Sequence, residues 1–375
     1  MPKTYNNLYP QIIAFDNLLA AYERARHSKQ QTAEMHAFHF DLEQNLWALH
    51  EDLRDGNYRP GAYHSFYIYE PKKRKVSAAP FRDRIVHHAL CAVIQPLFER
   101  KFIHDSYANR VGKGTHRALD RAHDWVRRYP YVLKADILKF FPSVDHHALA
   151  AILRRTIACP PTLTLCQRIL DSGAGILADE YPMQWFPGDD LLTPLERVRG
   201  LPIGNLTSQF WANVLLNELD HFVKEQLQRK AYLRYVDDFL IFGQDKAELW
   251  AVCDHIAHYL TRLRLSLHPR KSHVMPAATG VPFLGFRLYP THRRLLSDGL
   301  RRARRRLRRQ RQAMARGELS PEAFRRSLAS WIGHVGHGDT YQLRRLLLTS
   351  VVWRIGASPE HTGNPPERDE AIAYF

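Results

Sequence analysis

Cysteine is scarce and long apolar runs are missing. The 375-residue chain has four cysteines (Cys91, Cys159, Cys166 and Cys253) without paired Cys-x-x-Cys spacing. That excludes a disulfide framework and a paired-cysteine zinc module, and it fits a reducing compartment. No stretch approaches the roughly eighteen uninterrupted apolar residues of a membrane-spanning helix. The N-terminus, Met1-Pro-Lys-Thr-Tyr-Asn-Asn7, lacks the apolar centre of a signal peptide, so a cytoplasmic protein without membrane contact is expected. With 19 glycines and 22 prolines, the composition is neither fibrous nor of low complexity. A surplus of acid is also absent: 54 Lys and Arg against 38 Asp and Glu leave a net charge of +16, which points to a polyanionic partner, nucleic acid first. What is present is an ordinary 45% hydrophobic share over a length that suits two or three domains.

Residues 8–57 read as helical: Leu8, Ile12 and Phe15, then Leu18, Leu19 and Tyr22, recur at helical spacing, followed by Phe38, Leu42, Leu46 and Leu49. The aromatic run 63–69, the basic turn Pro71-Lys-Lys-Arg-Lys75 and the short run 76–79 predict a positively charged β-hairpin. Helices are expected over about 83–101, 207–227 and 246–263, and a loop over 172–199. Strands are expected over 131–136, in two halves of 232–242, and over 281–289. Ser143 or Asp145 suits the N-cap of the helix through Leu149, Ile152 and Leu153. Cys159 and Cys166 read as core or loop thiols, and His87-His88 and His146-His147 as helix-surface residues.

Asp237 and Asp238 lie between two apolar strand-forming runs, where adjacent carboxylates repel unless a cation compensates them. A bare Asp-Asp pair is also ordinary in a hydrated turn. Asp136 changes the weighing, because it ends another apolar strand and one sheet edge can gather all three carboxylates. Oxygen-only ligands suit Mg²⁺, and two ions about 3.5–4 Å apart are the apparatus of phosphoryl transfer without a protein nucleophile.

Tyr235-Val-Asp-Asp238, preceded by Leu233-Arg234 and followed by Phe239, closely resembles the YxDD box of reverse transcriptases. Asp136-Ile-Leu-Lys-Phe-Phe141 resembles their upstream metal-binding box. In matching order, residues 74–86 resemble the fingers motif, 109–116 the next block and 200–213 the nucleotide-binding block. Lys271 falls in the basic element after the palm, and Phe283-Leu284-Gly285 resembles the primer grip. The resemblance covers about residues 60–290.

It implies a right-hand polymerase of mixed α/β (α+β) class, with fingers, a palm around an antiparallel sheet, and an α-helical thumb. The expected limits are an N-terminal helical extension over 1–58, fingers and palm over 59–290, a basic thumb over 291–357 and a flexible tail over 358–375. It further implies that Asp136, Asp237, Asp238 and the carbonyl of Ile137 hold two Mg²⁺ ions, with Mn²⁺ as a substitute. By the same resemblance Phe141 is an aromatic gate against a 2′-hydroxyl, the other reading being a core aromatic. Lys75 and Arg82, with Lys73 beside them, would hold the incoming triphosphate, and Lys271 would join the nucleotide site; Tyr107, Asn109 and Arg110 are further contact candidates.

The nucleotide block departs from the common Pro-Gln-Gly form. Here Pro202-Ile203-Gly204 is followed by Ser208-Gln209, which resembles the form in diversity-generating retroelements. Their enzymes copy a template RNA with frequent errors at adenines. Ile203 can neither donate nor accept a hydrogen bond where glutamine can do both, so discrimination at Ile203, Gly204 and Gln209 should weaken. Packing of the palm is the plainer role for Ile203.

Arg301, Arg304, Arg305 and Arg308 belong to an arginine-dense run whose apolar seam is Leu300, Ala303, Leu307 and Met314. So many like charges on one helix predict phosphate contacts that position a duplex without reading its sequence. Expected partners are template RNA, a DNA or RNA primer and the cDNA, deoxynucleoside triphosphates, and a small basic oligomeric accessory protein. The source would be bacterial, archaeal or phage-encoded. Other readings are a retron-like or group II intron-like reverse transcriptase, and a non-catalytic, maturase-like RNA-binding protein.

Overall fold

A computed structural model describes residues 3–27, 32–69 and 73–351. Pro71 and Lys72 of the expected basic turn, and the expected tail over 358–375, lie outside the described residues. The chain divides into two compact units, one running to Leu284 and including Leu288–Thr291, the other formed by Gly285–Arg287 and the chain from His292 onward.

In the first unit, helices Tyr9–Ile13, Phe15–Arg26, Ala33–Phe40 and Leu42–Arg54 form from the periodic apolar residues; Leu18, Tyr22, Leu46 and Leu49 are buried among them. The hairpin follows as strands β1 (His64–Ile68) and β2 (Arg74–Ala78), antiparallel with Phe66 opposite Val76. Helix Phe81–Glu99 comes next and turns Ile85, Leu90 and Ile94 into the core.

The central sheet contains β3 (Tyr131–Asp136), β4 (Tyr232–Tyr235), β5 (Asp238–Gly243) and β6 (His273–Pro276), in the order β4-β5-β3-β6. All its pairings are antiparallel. β3 therefore lies in the interior of the sheet and buries Val132, Leu133 and Ala135, which accounts for its nearly continuous apolar sequence. The helix His146–Arg154 is capped by Asp145, whose Oδ1 accepts from Ala148 N at 2.8 Å. Ser143 instead donates back to the carbonyls of Leu138 and Lys139.

Three expectations need correction. The run 281–289 is interrupted: β7 (Val281–Phe283) ends at Leu284 and Gly285, whose φ values of 45° and 89° belong to the left-handed region, and a further strand covers Phe286–Leu288. The helix expected over 207–227 runs from Leu206 to His221 and widens into a π-helical turn over Phe222–Gln226. His87 and His146 are buried rather than on helix surfaces; only His147 of the two pairs is exposed. Burial pushes the His87 imidazole down to about 3, and burial lowers His146 too.

The second unit has its own core of Ala303, Leu307, Phe324, Trp331, Val335 and Leu347. Helix Ser297–Ala315 turns Ala303 and Leu307 inward, and complete burial of Leu307 is worth about 1.5–3 kcal/mol. Gly317, at φ 74°, lies just past this helix. Ser320 Oγ accepts from Ala323 N at 3.2 Å to start the next helix, Pro321–Val335. No helix among the described residues is long and apolar enough to cross a membrane.

Candidate active site

Register builds the site. On β3 and β5, Asp136 lies opposite Asp238, while Tyr235 of β4 also lies opposite Asp238. Val236 and Asp237 are left as a two-residue tip. Val236 has φ 57°, unfavourable for a β-branched residue. Two bonds restrain this tip: Arg234 Nη1 donates to the Val236 carbonyl at 3.0 Å, and Ile137 N to the Asp237 carbonyl at 3.2 Å.

Arg234 is fully buried, and its guanidinium is met on every side. Nε and Nη2 donate to the two carboxylate oxygens of Asp220 at 2.7 and 2.6 Å. Nη1 also reaches Asn213 Oδ1 at 3.1 Å, and Nη2 reaches Ser106 Oγ at 3.2 Å. A buried guanidinium is tolerable only with such bidentate pairing. Asp220 and Asn213 both belong to helix Leu206–His221, which thereby fixes the acidic tip from behind.

Charge at the tip is only partly balanced. Lys271 Nζ donates to Asp136 Oδ1 at 2.9 Å, and Lys134 Nζ to Asp238 Oδ2 at 3.2 Å. Burial, then the nearby Asp136 carboxylate, pushes Asp237 up to about 6. Burial raises Asp238 as well, against the opposing pull of Lys134. Asp238 Oδ1 is buried and accepts no hydrogen bond. Three carboxylates against two ammonium groups, one oxygen unused, form a hard-oxygen donor set that suits a divalent ion. Among the described residues no three His, Cys, Asp or Glu side chains are already drawn into a metal-ligand cluster. Mg²⁺ commonly takes only one or two carboxylates, with water and phosphate oxygens completing its shell.

The segment expected to bind the nucleotide, residues 200–213, is tied to the chain that follows Asp136. Gly200 N donates to Val144 O and Leu201 N to Phe141 O, both at 2.8 Å, so the backbone of the expected gate residue is tied directly to the block. Phe141 is half-buried, its ring 5.4 Å from that of Phe140. Ile203 and Gln209 are half-buried and Gly204 exposed. Gly204 has φ 121°, and a Cβ there would come within 3.0 Å of Val76 Cγ1, so close approach of β2 requires glycine.

Other expected contacts are engaged elsewhere. Lys75 Nζ donates to Ile176 O at 2.9 Å and to Asp179 Oδ1 at 3.2 Å. Arg82 pairs with Asp52 and lies 5.2 Å from the Tyr58 ring centre, while Lys73 Nζ lies 4.5 Å from that of Tyr67. Tyr107 is buried and donates to Asp105, and Arg110 binds Glu99 and the carbonyls of Ile103 and Ser106, so these two side chains brace their own loop. Asn109 is exposed at φ 54°. Phe283 is buried in β7, beside the Leu284–Gly285 turn. In the second unit, Arg301, Arg304, Arg305 and Arg308 are all exposed, and Arg301 pairs with Asp298. All four cysteines are free and buried.

Sequence reasoning missed Lys134 and the bracing role of Arg234. A signal for the first was present: residues two apart on a strand share a face, so Lys134 had to lie beside Asp136.

Residues 69–288 match the family model described as reverse transcriptase (RNA-dependent DNA polymerase). Among curated proteins, YkfC of Escherichia coli K12 is 26% identical over 283 residues, which is 65% of this chain and 71% of that protein. The group II intron-encoded protein LtrA of Lactococcus lactis subsp. cremoris is 23% identical over 227 residues, 59% of this chain but 34% of LtrA. Nuclear intron maturase 1 of Arabidopsis thaliana mitochondria is 24% identical over 283 residues, 60% of this chain and 40% of the maturase. The matches thus span well under half of these two intron proteins. A solved structure of apo telomerase from Candida tropicalis, truncated from its C-terminal domain, aligns with a TM-score of 0.46 at 12% identity, over 68% of this chain and 60% of that one. The family match takes in more than half of the sequence and both aspartate boxes; the chain belongs to the reverse transcriptase (RNA-dependent DNA polymerase) family.

Proposed function

We propose that this chain copies an RNA template into cDNA from deoxynucleoside triphosphates, as the polymerase of a diversity-generating retroelement. The observation that carries the catalytic half is the register of β3 on β5, with Asp136 opposite Asp238 and Asp237 on the adjoining tip. Asp136 and Asp237, with Asp238 and the Ile137 carbonyl assisting, would hold two Mg²⁺ ions, Mn²⁺ serving as a substitute. When bound, such ions supply Lewis-acid stabilisation of the attacking and leaving oxygens. Phe141 excludes a 2′-hydroxyl by bulk. Lys75, Arg82 and Lys271 supply positive charge to the triphosphate, Lys75 leaving Asp179 to do so. Phe283, Leu284 and Gly285 support the primer end, and Arg301, Arg304, Arg305 and Arg308 hold phosphates of the duplex. A small basic accessory protein completes the partner set.

The retroelement half rests on Ile203-Gly204 and Ser208-Gln209. A group II intron-like reverse transcriptase is the second reading, favoured by the similarity to LtrA and the plant maturase. Primer extension on an RNA template, followed by sequencing of the cDNA, separates them. Wild type is expected to extend the primer and to misincorporate mainly opposite adenine, and Ile203→Gln to lower that error by about tenfold, the scale of one lost discriminating contact. Accurate copying of adenine by the wild type favours the intron-like enzyme, and no extension at all removes the polymerase reading.

A further inference from the structure

Lys134 shares the Asp136 face of β3 and is half-buried. Its Nζ donates to Asp238 Oδ2 at 3.2 Å and to the Pro282 carbonyl at 2.8 Å, and lies 5.9 Å from the centre of the Phe283 ring. One ammonium thus joins Asp238, the first residue of β5, to the backbone of β7. A lysine suits this junction because a compact charge with three donors can serve two acceptors and still lie near an aromatic ring. The remaining charges are distributed unequally: Lys271 pairs with Asp136, whereas among the described residues Asp237 has no ion-pair partner.

We propose that Lys134 is a positioning residue which offsets the charge of Asp238 through Oδ2 while leaving its Oδ1 open, and which ties the acidic site to β7 so that the primer end is held at a set distance from it. The second clause rests on the polymerase reading; the first does not. Removing the ammonium adds net negative charge to the site while loosening its geometry. Metal affinity and turnover should therefore change in opposite directions, whereas general structural damage would weaken both.

The test uses the full chain with Lys134→Met, Lys134→Gln and Lys134→Arg. Mn²⁺ binding is followed by electron paramagnetic resonance, primer extension by kcat and by KM for the nucleotide, and folding by circular dichroism. Lys134→Met is expected to bind Mn²⁺ several-fold more tightly while kcat falls about 10–100-fold, the usual effect of losing a partner that orients a ligand. The nucleotide KM should stay within about twofold, because uniform binding is untouched. Lys134→Gln should show the same tightening with a smaller loss of kcat, and Lys134→Arg should return both towards wild type. An unchanged Mn²⁺ midpoint in Lys134→Met and Lys134→Gln overturns the proposal. So does weaker binding together with lower thermal stability, or failure of both variants to fold. A tightened midpoint in a protein whose wild type extends no primer retains the charge balance and removes the polymerase reading; a wild type that does neither overturns both.

Discussion

The acidic tip of the first unit and the arginine helix of the second treat charge in opposite ways. Around the tip most charged groups have an individual counterpart, Arg234 with Asp220, Lys271 with Asp136 and Lys134 with Asp238, and among the described residues Asp237 alone of its three carboxylates has none. On helix Ser297–Ala315, Arg301, Arg304, Arg305 and Arg308 stand exposed around a seam of which only Ala303 and Leu307 are buried. Reacting atoms must be located to a fraction of an ångström, which demands individual restraints on each group. Attraction of a polyanion needs only a field, to which interchangeable cations contribute. Single substitutions should therefore be severe at the tip and mild on the helix.

The sharpest form of that contrast is Asp136→Asn or Asp237→Asn, expected to lower primer extension by about 10³-fold or more, the several kcal/mol of Lewis-acid stabilisation they would forfeit. Stability should move the other way. Asp237 titrates higher in the folded protein than in the unfolded chain, so its folded form holds a proton that the unfolded form has released. Stability without metal consequently falls as pH rises from about 4 to about 6. Asp237→Asn should flatten that slope in urea titrations, and a slope unchanged by the substitution would argue against crowding of the carboxylates.

Arg234→Met tests the bracing of the tip. It strands Asp220 without its cation, at an expected cost of about 3–5 kcal/mol measured by urea denaturation. A loss under about 1 kcal/mol would place the pair among weakly contributing ion pairs. The mildest effect per residue is expected on the helix. Replacing Arg301, Arg304, Arg305 and Arg308 together by Ala should flatten the dependence of log K on log salt by about 0.7–0.9 for each phosphate contact removed, with kcat at saturating template within about twofold of wild type. An unaltered slope would assign these arginines to the solvent.

What could be read beforehand follows the same division. The order of the aspartate boxes and the apolar seam of the arginine helix were legible because both are local patterns. The break at Leu284 and Gly285 was not, since Val281-Pro-Phe and Phe286-Arg-Leu flank it with uninterrupted strand-like residues. Strand β6 is not legible because His273-Val-Met-Pro276 is only four residues long and ends in proline, and acquires strand geometry by pairing with β3. His87 and His146 were misjudged because burial depends on what packs over a helix; His146 Nε2, for example, is 2.8 Å from the carbonyl of Gly200, far along the chain. Asp238 and Pro282, which meet Lys134, and Asp220, Asn213 and Ser106, which meet Arg234, likewise belong to other segments, which no spacing along one element can reveal.

The root of the β1–β2 hairpin has one further consequence. Ser77 N donates to the Ile203 carbonyl at 2.8 Å, Ala79 N to Asn205 Oδ1 at 3.2 Å, and Asn205 Nδ2 back to the Ser77 carbonyl at 3.0 Å. Three stitches at the base mean that the hairpin cannot pivot there without tearing the loop that opens helix Leu206–His221. Any bending of the two strands must start farther out than these bonds, so the ground beside Gly204 is held with the helix that follows it.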